Sequence, residues 1–270
     1  MIKVLTTAAV VLALLGVTGC SGDDGQDPEA TSAPTAAAPP AAPKAHACYR
    51  LPFNAVLEPS NHAQPVPCSR PHTARTLYVG RIDPLVDGHL LAIDSDRVQK
   101  QVADGCRARA AAHLGGSTET QQLARLRGAW FSPTLTQSDA GALWFRCDLV
   151  LVAGPTSLAN LPRRTAGILG RPGALDRFGT CGTASPADKR FRRVVCSRPH
   201  TWRARAILDI PSNAKYLGRA ARKDADARCR DVDARAARDS LKLRWSFEWP
   251  TREQWDTGQR YGYCWTPDPA

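Results

Sequence analysis

Apolar residues recur at every fourth position in two separate stretches of the chain. In the first stretch they are Val98, Val102, Cys106, Ala110 and Leu114. In the second they are Leu217, Ala221, Ala225 and Cys229, continued by Val232 and Ala236. This spacing places side chains on one face of a helix, so the pattern predicts two helices, each with a cysteine facing the core. Asp94 or Ser95 caps the first helix, and Gly115-Gly116 ends it.

Runs with strand character lie on either side of each predicted helix. Alternating or β-branched residues at Thr76 to Ile82 and at Trp202 to Ile210 predict a strand before each helix. Residues 143–147 and 261–265 predict a strand after each helix, and Leu149 to Val152 extends the first of these.

A short helical turn is predicted just before each of these last strands. Thr134 and Thr251 each begin a Thr-x-x-Gln sequence, the pattern of a capping box in which hydroxyl and amide satisfy backbone donors reciprocally. Gly141 and Gly258, seven residues after each threonine, are suited to a left-handed C-cap.

The chain contains an internal repeat that organises these elements. The sequence Cys-Ser-Arg-Pro-His-Thr occurs at residues 68–73 and again at 196–201. A second block matches without a gap between residues 133–147 and 250–264. The repeat predicts an α+β fold of two tandem small domains, each an antiparallel sheet packed with one main helix. Each domain is expected to run strand, strand, helix, turn, strand.

Eight cysteines fall into two matching sets of four. They are Cys48, Cys68, Cys106 and Cys147, then Cys181, Cys196, Cys229 and Cys264. An even set in an exported chain indicates disulfides, two in each domain. Pairing first with second and third with fourth is preferred, although four cysteines allow three connectivities in each domain.

The amino terminus predicts export and lipid attachment. Residues 1–20 read as a lipoprotein signal peptide: Lys3 precedes an apolar stretch too short to span a bilayer, and Val17-Thr18-Gly19-Cys20 resembles a bacterial lipobox. Cys20 is then the lipidation site, where more than one acyl chain, such as palmitate, anchors the protein firmly. The alternative is an ordinary signal peptide with a coincidental cysteine.

Domain boundaries follow from composition and from the repeat. Residues 21–47 are rich in Ala, Pro and Thr and predict a disordered tether. The first domain spans residues 48–153, a linker spans 154–172, and the second domain spans 173–270.

The folded region carries a strong positive charge. From Cys48 onward there are 34 basic and 21 acidic side chains, a surplus of 13. For a protein anchored outside the cell, this favours anionic lipid headgroups or acidic wall polymers as partners, and not nucleic acid. The alternative is a solvated surface, since 29 of the 36 basic residues are Arg.

The motifs resemble a known family. Residues 66–72 with 133–147, and residues 194–200 with 250–264, are similar to the septum-formation domain of actinobacterial exported proteins. The resemblance implies two copies of a membrane-tethered, extracytoplasmic domain linked to cell division. The family often has Glu three residues after the motif histidine, whereas this chain has Arg75 and Arg203.

The two motif histidines are the first candidate binding residues. His72 and His200 are expected to be structural, each bonding a turn carbonyl beside a proline, and the alternative is a ligand contact in both domains. Arg75 and Arg203 lie three residues further on. Zinc ligation or a Cys–His nucleophile is disfavoured because the neighbouring cysteines are expected in disulfides.

Tryptophan and arginine near the carboxyl terminus are the second candidate group. Trp249 and Trp255 lie among several Arg residues, a composition that suits sugar or peptide binding, with core packing as the alternative. No nucleophile-elbow, phosphate-loop, dinucleotide or zinc-protease motif occurs.

Together these features predict a non-enzymatic lipoprotein on the outer face of the cell membrane. It would bind or scaffold a cell-envelope protein or an anionic wall polymer, without a cofactor or metal. The alternatives are an envelope enzyme with an unrecognised site or a binder of sugars.

Overall fold

A computed structural model of the chain describes residues 38–236, 241–256 and 258–268. The signal peptide, Cys20 and residues 21–37 lie outside these ranges, so what the sequence predicts for them stays a prediction. Within the described ranges, no helix combines the length and the apolar character needed to cross a bilayer.

The N-terminal half, residues 38–159, contains seven strands and three α-helices. They are β1 Cys48–Tyr49, β2 Ala74–Arg81, β3 Leu85–Val86, β4 His89–Leu90, α1 Asp96–Leu114, α2 Thr118–Leu123, β5 Leu126–Phe131, α3 Leu135–Asp139, β6 Trp144–Gly154 and β7 Ser157–Ala159. The C-terminal half, residues 174–268, has these described elements: α4 Ala174–Phe178, β8 Thr180–Gly182, β9 Arg193–Val195, β10 Trp202–Asp209, α5 Arg219–Ala236, β11 Ser246–Glu248, α6 Arg252–Asp256 and β12 Tyr261–Pro267.

The two halves form antiparallel sheets with a matching order of strands. The order is β5-β6-β2-β1 in the N-terminal half, with β7 also paired to β6, and β11-β12-β10-β8-β9 in the C-terminal half. The central strand pairs are also irregular at the same place. The register shifts at Leu77 in β2 and at Arg205 in β10, each the fifth residue after the motif histidine. The mixed helix and antiparallel sheet architecture agrees with the predicted α+β class.

Helix α1 follows its sequence pattern closely. Ser95 occupies the N-cap position with an extended backbone, although its hydroxyl makes no capping hydrogen bond, and Gly115 ends the helix with φ 66°. All five residues of the apolar stripe are buried, and Cys106 on that stripe packs against Gly128 of β5. The helix thereby covers one face of the first sheet.

Helix α5 begins later than the apolar pattern predicts. Leu217 was expected on the helix face, but it has φ 54° and lies in the turn before Arg219. Gly218 donates its backbone N–H to the carbonyl of Lys215 and closes this turn. In the helix, Ala225 and Cys229 are buried whereas Ala236 is exposed, so the apolar stripe is shorter than expected.

Both predicted capping boxes form. The Thr134 hydroxyl accepts the Gln137 N–H, and the Gln137 side chain accepts the Thr134 N–H, at the start of α3. Thr251 and Gln254 exchange the same two bonds at α6. Gly141 and Gly258 follow with φ 90° and 96°, which is the left-handed conformation expected of them.

Four disulfides hold the sheets and helices together. They join Cys48 to Cys68, Cys106 to Cys147, Cys181 to Cys196, and Cys229 to Cys264. This confirms the preferred pairing. In each half, one bond ties the main helix to a central strand and the other closes the loop that leads to the repeated motif.

The segment between the halves is a packed part of the fold. It was expected to be a linker, yet β7 pairs with β6, and Leu161, Ile168 and Leu169 are buried in a cluster that includes Leu149 of β6 and Phe178 of α4. Residues from Ala38 onward form one compact unit. The sequence missed this because its apolar residues are scattered among Gly, Pro and Arg.

An ion pair lies within the first sheet. Arg146 and Asp148 of β6 are 3% and 0% exposed, and their charged atoms are 3.1 Å apart. Thr76 of β2 donates to Asp148 at 2.7 Å, and the Arg146 guanidinium lies between the rings of Tyr49 and Phe131. Burial raises the pKa of Asp148 to about 6, although Arg146 and Thr76 act in the opposite direction.

We expect Asp148 to titrate near pH 6 in the folded protein. Because its folded pKa lies above the unfolded value, its contribution to stability is fully present below about pH 4 and is lost as the pH rises to about 6. Carboxyl ¹³C NMR measures this directly, and Asp148→Asn identifies the resonance by removing it. A midpoint below pH 4 would contradict the expected effect of burial.

Candidate functional site

The motif histidines bond the turns in which they lie. The Nδ1 of His72 donates to the carbonyl of Arg70 at 2.9 Å, and that of His200 to the carbonyl of Arg198 at 2.7 Å. Nδ1 must be the donor because a carbonyl oxygen can only accept. Each histidine therefore makes the turn contact that the sequence indicates for a structural residue.

The second ring nitrogen differs between the halves. In the C-terminal half, His200 Nε2 lies 3.2 Å from Asp268 Oδ2. In the N-terminal half, His72 is 3% exposed and its Nε2 has no partner among the described residues. Asp268 lies four residues after Cys264, and Leu151 is its counterpart after Cys147. The carboxylate is thus present in one half only.

Arg75 and Arg203 also differ in the groups that they bind. Arg203 pairs with both Asp268 and Asp176, whereas Arg75 donates to the backbone carbonyl of Arg163 at 3.3 Å. Burial alone would raise the pKa of Asp268, but hydrogen bonds from Arg203 and His200, with the nearby arginine charges, bring it below its usual value. These residues form a structural ion-pair network, in which Arg205 also takes part.

Cys181, His200 and Asp268 lie close enough together to resemble a metal site. The Cys181 sulfur, however, is bonded to Cys196, and the Asp268 carboxylate is taken up by arginine. Neither group is free to bind a cation in this state.

Trp249 and Trp255 pack against each other in the interior of an aromatic cluster. Their rings stack with centroids 5.8 Å apart, and Trp255 is only 8% exposed. The Arg260 guanidinium covers the Trp255 ring at 4.0 Å. This arrangement matches the core-packing alternative more closely than an open platform for a sugar or peptide.

Three arginines that the sequence did not single out converge where the two sheets meet. Arg125 precedes β5, Arg127 lies on β5, and Arg193 begins β9. With Tyr261 and Tyr263 of β12 they line a pocket of about 250 Å³, named here the arginine pocket. Its remaining lining residues are Val152, Thr180, Gln254 and Gln259.

Bonds to the surrounding backbone and to one carboxylate hold the lining in place. Arg125 donates through Nε to the carbonyl of Val152 at 2.7 Å, and Tyr263 donates through its hydroxyl to the carbonyl of Gln122 at 3.3 Å. Glu248 binds Arg193 through both oxygens at 2.6 and 3.3 Å and accepts from the Trp265 indole at 3.0 Å. The arginines are therefore positioned before any ligand arrives.

The pocket has a marked excess of positive charge. None of its lining residues is acidic, and Glu248 behind it offsets only Arg193. Burial, with repulsion from Arg127 and Arg193, lowers the pKa of Arg125 to about 10, so the guanidinium stays charged at neutral pH. An anion with several acceptor oxygens would relieve this repulsion and bond the guanidinium groups. The arrangement suits the binding of phosphate or carboxylate.

We expect Asp268→Asn to destabilise the protein by about 1–3 kcal/mol at neutral pH, because it removes the negative charge that pairs with Arg203 and Arg205 and replaces one acceptor oxygen by an NH2 donor. The lowered pKa means that the wild-type contribution is present above about pH 4 and is lost as the pH falls further. Chemical denaturation at pH 7 and pH 3 measures both effects. Asp176→Asn is the matched control, since that side chain is 71% exposed and also pairs with Arg203. An equal loss of unfolding free energy in Asp268→Asn and Asp176→Asn would contradict the role of Asp268.

Comparison with protein-family models gives a match to a model described as Septum formation, over residues 95–264. The match begins at the N-cap of α1, after β1 and β2 of the first sheet, continues through β5 and β6 into the second sheet, and ends at Cys264 in β12. No curated protein and no solved structure shows significant similarity to the chain. Because the matched region covers more than half of the sequence, the chain belongs to the Septum formation family, and all nine lining residues of the arginine pocket lie within that region.

Proposed function

We propose that this protein is a lipid-anchored binding protein on the outer face of the cell membrane, where it takes part in septum formation by holding an anionic component of the cell envelope. The observation that carries the proposal is the arginine pocket, in which three guanidinium groups line a pocket without a lining carboxylate. Membership of the Septum formation family supports the link to cell division.

The proposed anchor is a diacylated Cys20 at the end of the signal peptide. The lipobox-like sequence supports it, and the four disulfides fit an oxidising compartment outside the cytoplasm. Residues 21–37 would then connect the anchor to the folded region.

We further propose that the halves are two copies of one module. The repeated motif, the shared strand order and the equivalent bulges at Leu77 and Arg205 support this. The arginine pocket draws its lining from both copies, so it belongs to the pair of modules and not to either one alone.

An anionic wall polymer is the ligand that these features favour. Guanidinium groups bond phosphate oxygens in pairs, and the surplus of 13 positive charges attracts a polyanion over a longer range. The lining contains no Cys, His, Asp or Glu to act as nucleophile or general base, which favours binding over catalysis.

Polymer binding is tested with the full chain carrying Cys20→Ser, titrated with polyglycerol phosphate at low ionic strength. We expect saturable binding that weakens with salt, and a loss of about tenfold, or 1.4 kcal/mol, in Arg127→Gln because one charged contact is removed. Arg127 is exposed, so its loss leaves the core intact. Arg190→Gln is the control, since it removes an equal charge at a site with 88% exposure outside the pocket.

Two outcomes would contradict the proposal. One is the absence of binding at low ionic strength, and the other is an equal loss in Arg127→Gln and Arg190→Gln. Shortening of the polymer during incubation would favour the enzyme alternative. Vesicles with anionic headgroups, used as competitors, distinguish a lipid phosphate from a polymer phosphate.

The lipid anchor is tested separately in cells. We expect the wild-type protein in the membrane fraction and Cys20→Ser in the soluble extracellular or periplasmic fraction, because the variant lacks the acyl chains. Metabolic labelling with a palmitate analogue should mark only the wild type. Labelling of Cys20→Ser, or its retention in the membrane, would contradict acylation at this residue.

A further inference from the structure

A second cavity, of about 470 Å³, lies in the N-terminal half beside the first residues of β6. We name it the Trp144 cavity. Residues 41–44, which precede β1, form one wall, and residues 60–65 form another. Pro39, two residues before the first wall, lies against Gly141, where an added Cβ would be 3.2 Å from the proline ring. The volume falls in the range of small-molecule sites, about 300–1,000 Å³.

The lining of the Trp144 cavity is polar but mostly uncharged. Hydroxyl, amide and imidazole groups come from Ser60, Asn61, His62, Gln64, Ser132 and Gln137. Trp144 and Tyr49 add aromatic surface, and no carboxylate takes part in the lining. The two cations are Lys44 and Arg146. This chemistry differs from that of the arginine pocket.

The charge of Arg146 is already compensated inside the protein. Asp148 lies 3.1 Å from its guanidinium, and the rings of Tyr49 and Phe131 cover it at 4.1 and 4.6 Å. The Arg146 side chain therefore offers hydrogen-bond donors to the cavity without a net charge. The other cation, Lys44, is exposed to solvent, so an uncharged ligand suits the interior of the cavity better than an anion.

Two buried donors in the lining lack acceptors. The Arg146 side chain is 97% buried, and its Nε has no hydrogen-bond partner among the described residues. The Trp144 indole Nε1 is also a buried atom without a partner among those residues. Leaving such a donor unpaired costs about 1–3 kcal/mol, which a ligand oxygen that accepted from it would recover.

We propose that the Trp144 cavity binds an uncharged saccharide unit. A sugar ring presents an apolar C–H face to an aromatic side chain, and its hydroxyl or acetamido oxygens accept from the unpaired donors. Its hydroxyls also bond the amide and hydroxyl groups of residues 60–65. The protonated amino terminus of a peptide would find no carboxylate in the lining to pair with.

NMR titration of the full Cys20→Ser chain with an N-acetylglucosamine trisaccharide tests the proposal. We expect a saturable shift of the Trp144 indole N–H resonance, and binding at least tenfold weaker in Trp144→Phe, which removes the donor but keeps an aromatic ring. Trp130→Phe is the matched control in the same sheet, because the Trp130 indole already donates to Gln99 at 3.2 Å and lies outside this cavity. It should leave binding unchanged.

Three results would overturn the proposal: no shift of the Trp144 indole at millimolar trisaccharide, equal weakening in both tryptophan variants, or a response of that indole to a short acidic peptide but not to the sugar. The wild-type titration decides even if Trp144→Phe folds poorly. Arg127→Gln should bind the trisaccharide normally, so failure here is distinguishable from failure of polymer binding at the arginine pocket.

Discussion

The backbones of the two sheets join directly at Ala124 and Gly179. These residues form an antiparallel bridge, and the neighbouring Arg125 N–H donates to the Phe178 carbonyl at 2.7 Å. Gly179 also accepts the Cys196 N–H. An added Cβ at Gly179 would lie 2.3 Å from the Leu175 carbonyl oxygen, so the turn that ends α4 and leads into this bridge requires glycine. The shared apolar cluster and the arginine pocket both depend on this contact.

The junction explains how the arginine pocket is lined by residues from both halves of the chain. Two modules with separate sheets would each present an edge and an apolar surface to solvent. Here the residues between them, including Ile168 and Leu169, fill the space between β6 and α4. Arg125 and Arg193 are brought together only because the sheets meet at this place. The halves differ in side chains, for example Leu151 at the position equivalent to Asp268. Such differences leave the strand order unchanged, so they are compatible with the matching topology of the halves.

Local patterns made much of the fold predictable. The four-residue spacing located α1, and the Thr-x-x-Gln sequences located α3 and α6, because each pattern depends on residues close in sequence. The two matching sets of four cysteines indicated the disulfides by simple counting. Leu217 shows the limit: it fits the helical period, but the turn closed by Gly218 places it outside α5. The candidate sites were not predictable in this way, because Arg125, Arg193 and Tyr261 come together only through the packing of two sheets. Arg125 and Arg127 are two residues apart, and so are Tyr261 and Tyr263. This spacing was the only local sign that the members of each pair point to the same side of the extended chain.

The arginine pocket is expected to hold an anion where the two sheets meet. A crystal structure of the full Cys20→Ser chain grown with saturating glycerol phosphate tests this claim most directly. We expect a phosphate group within hydrogen-bond distance of the Arg125, Arg127 and Arg193 guanidiniums, with the Glu248 pairing of Arg193 retained. Glycerol phosphate bound at another surface while this pocket holds only water would contradict it.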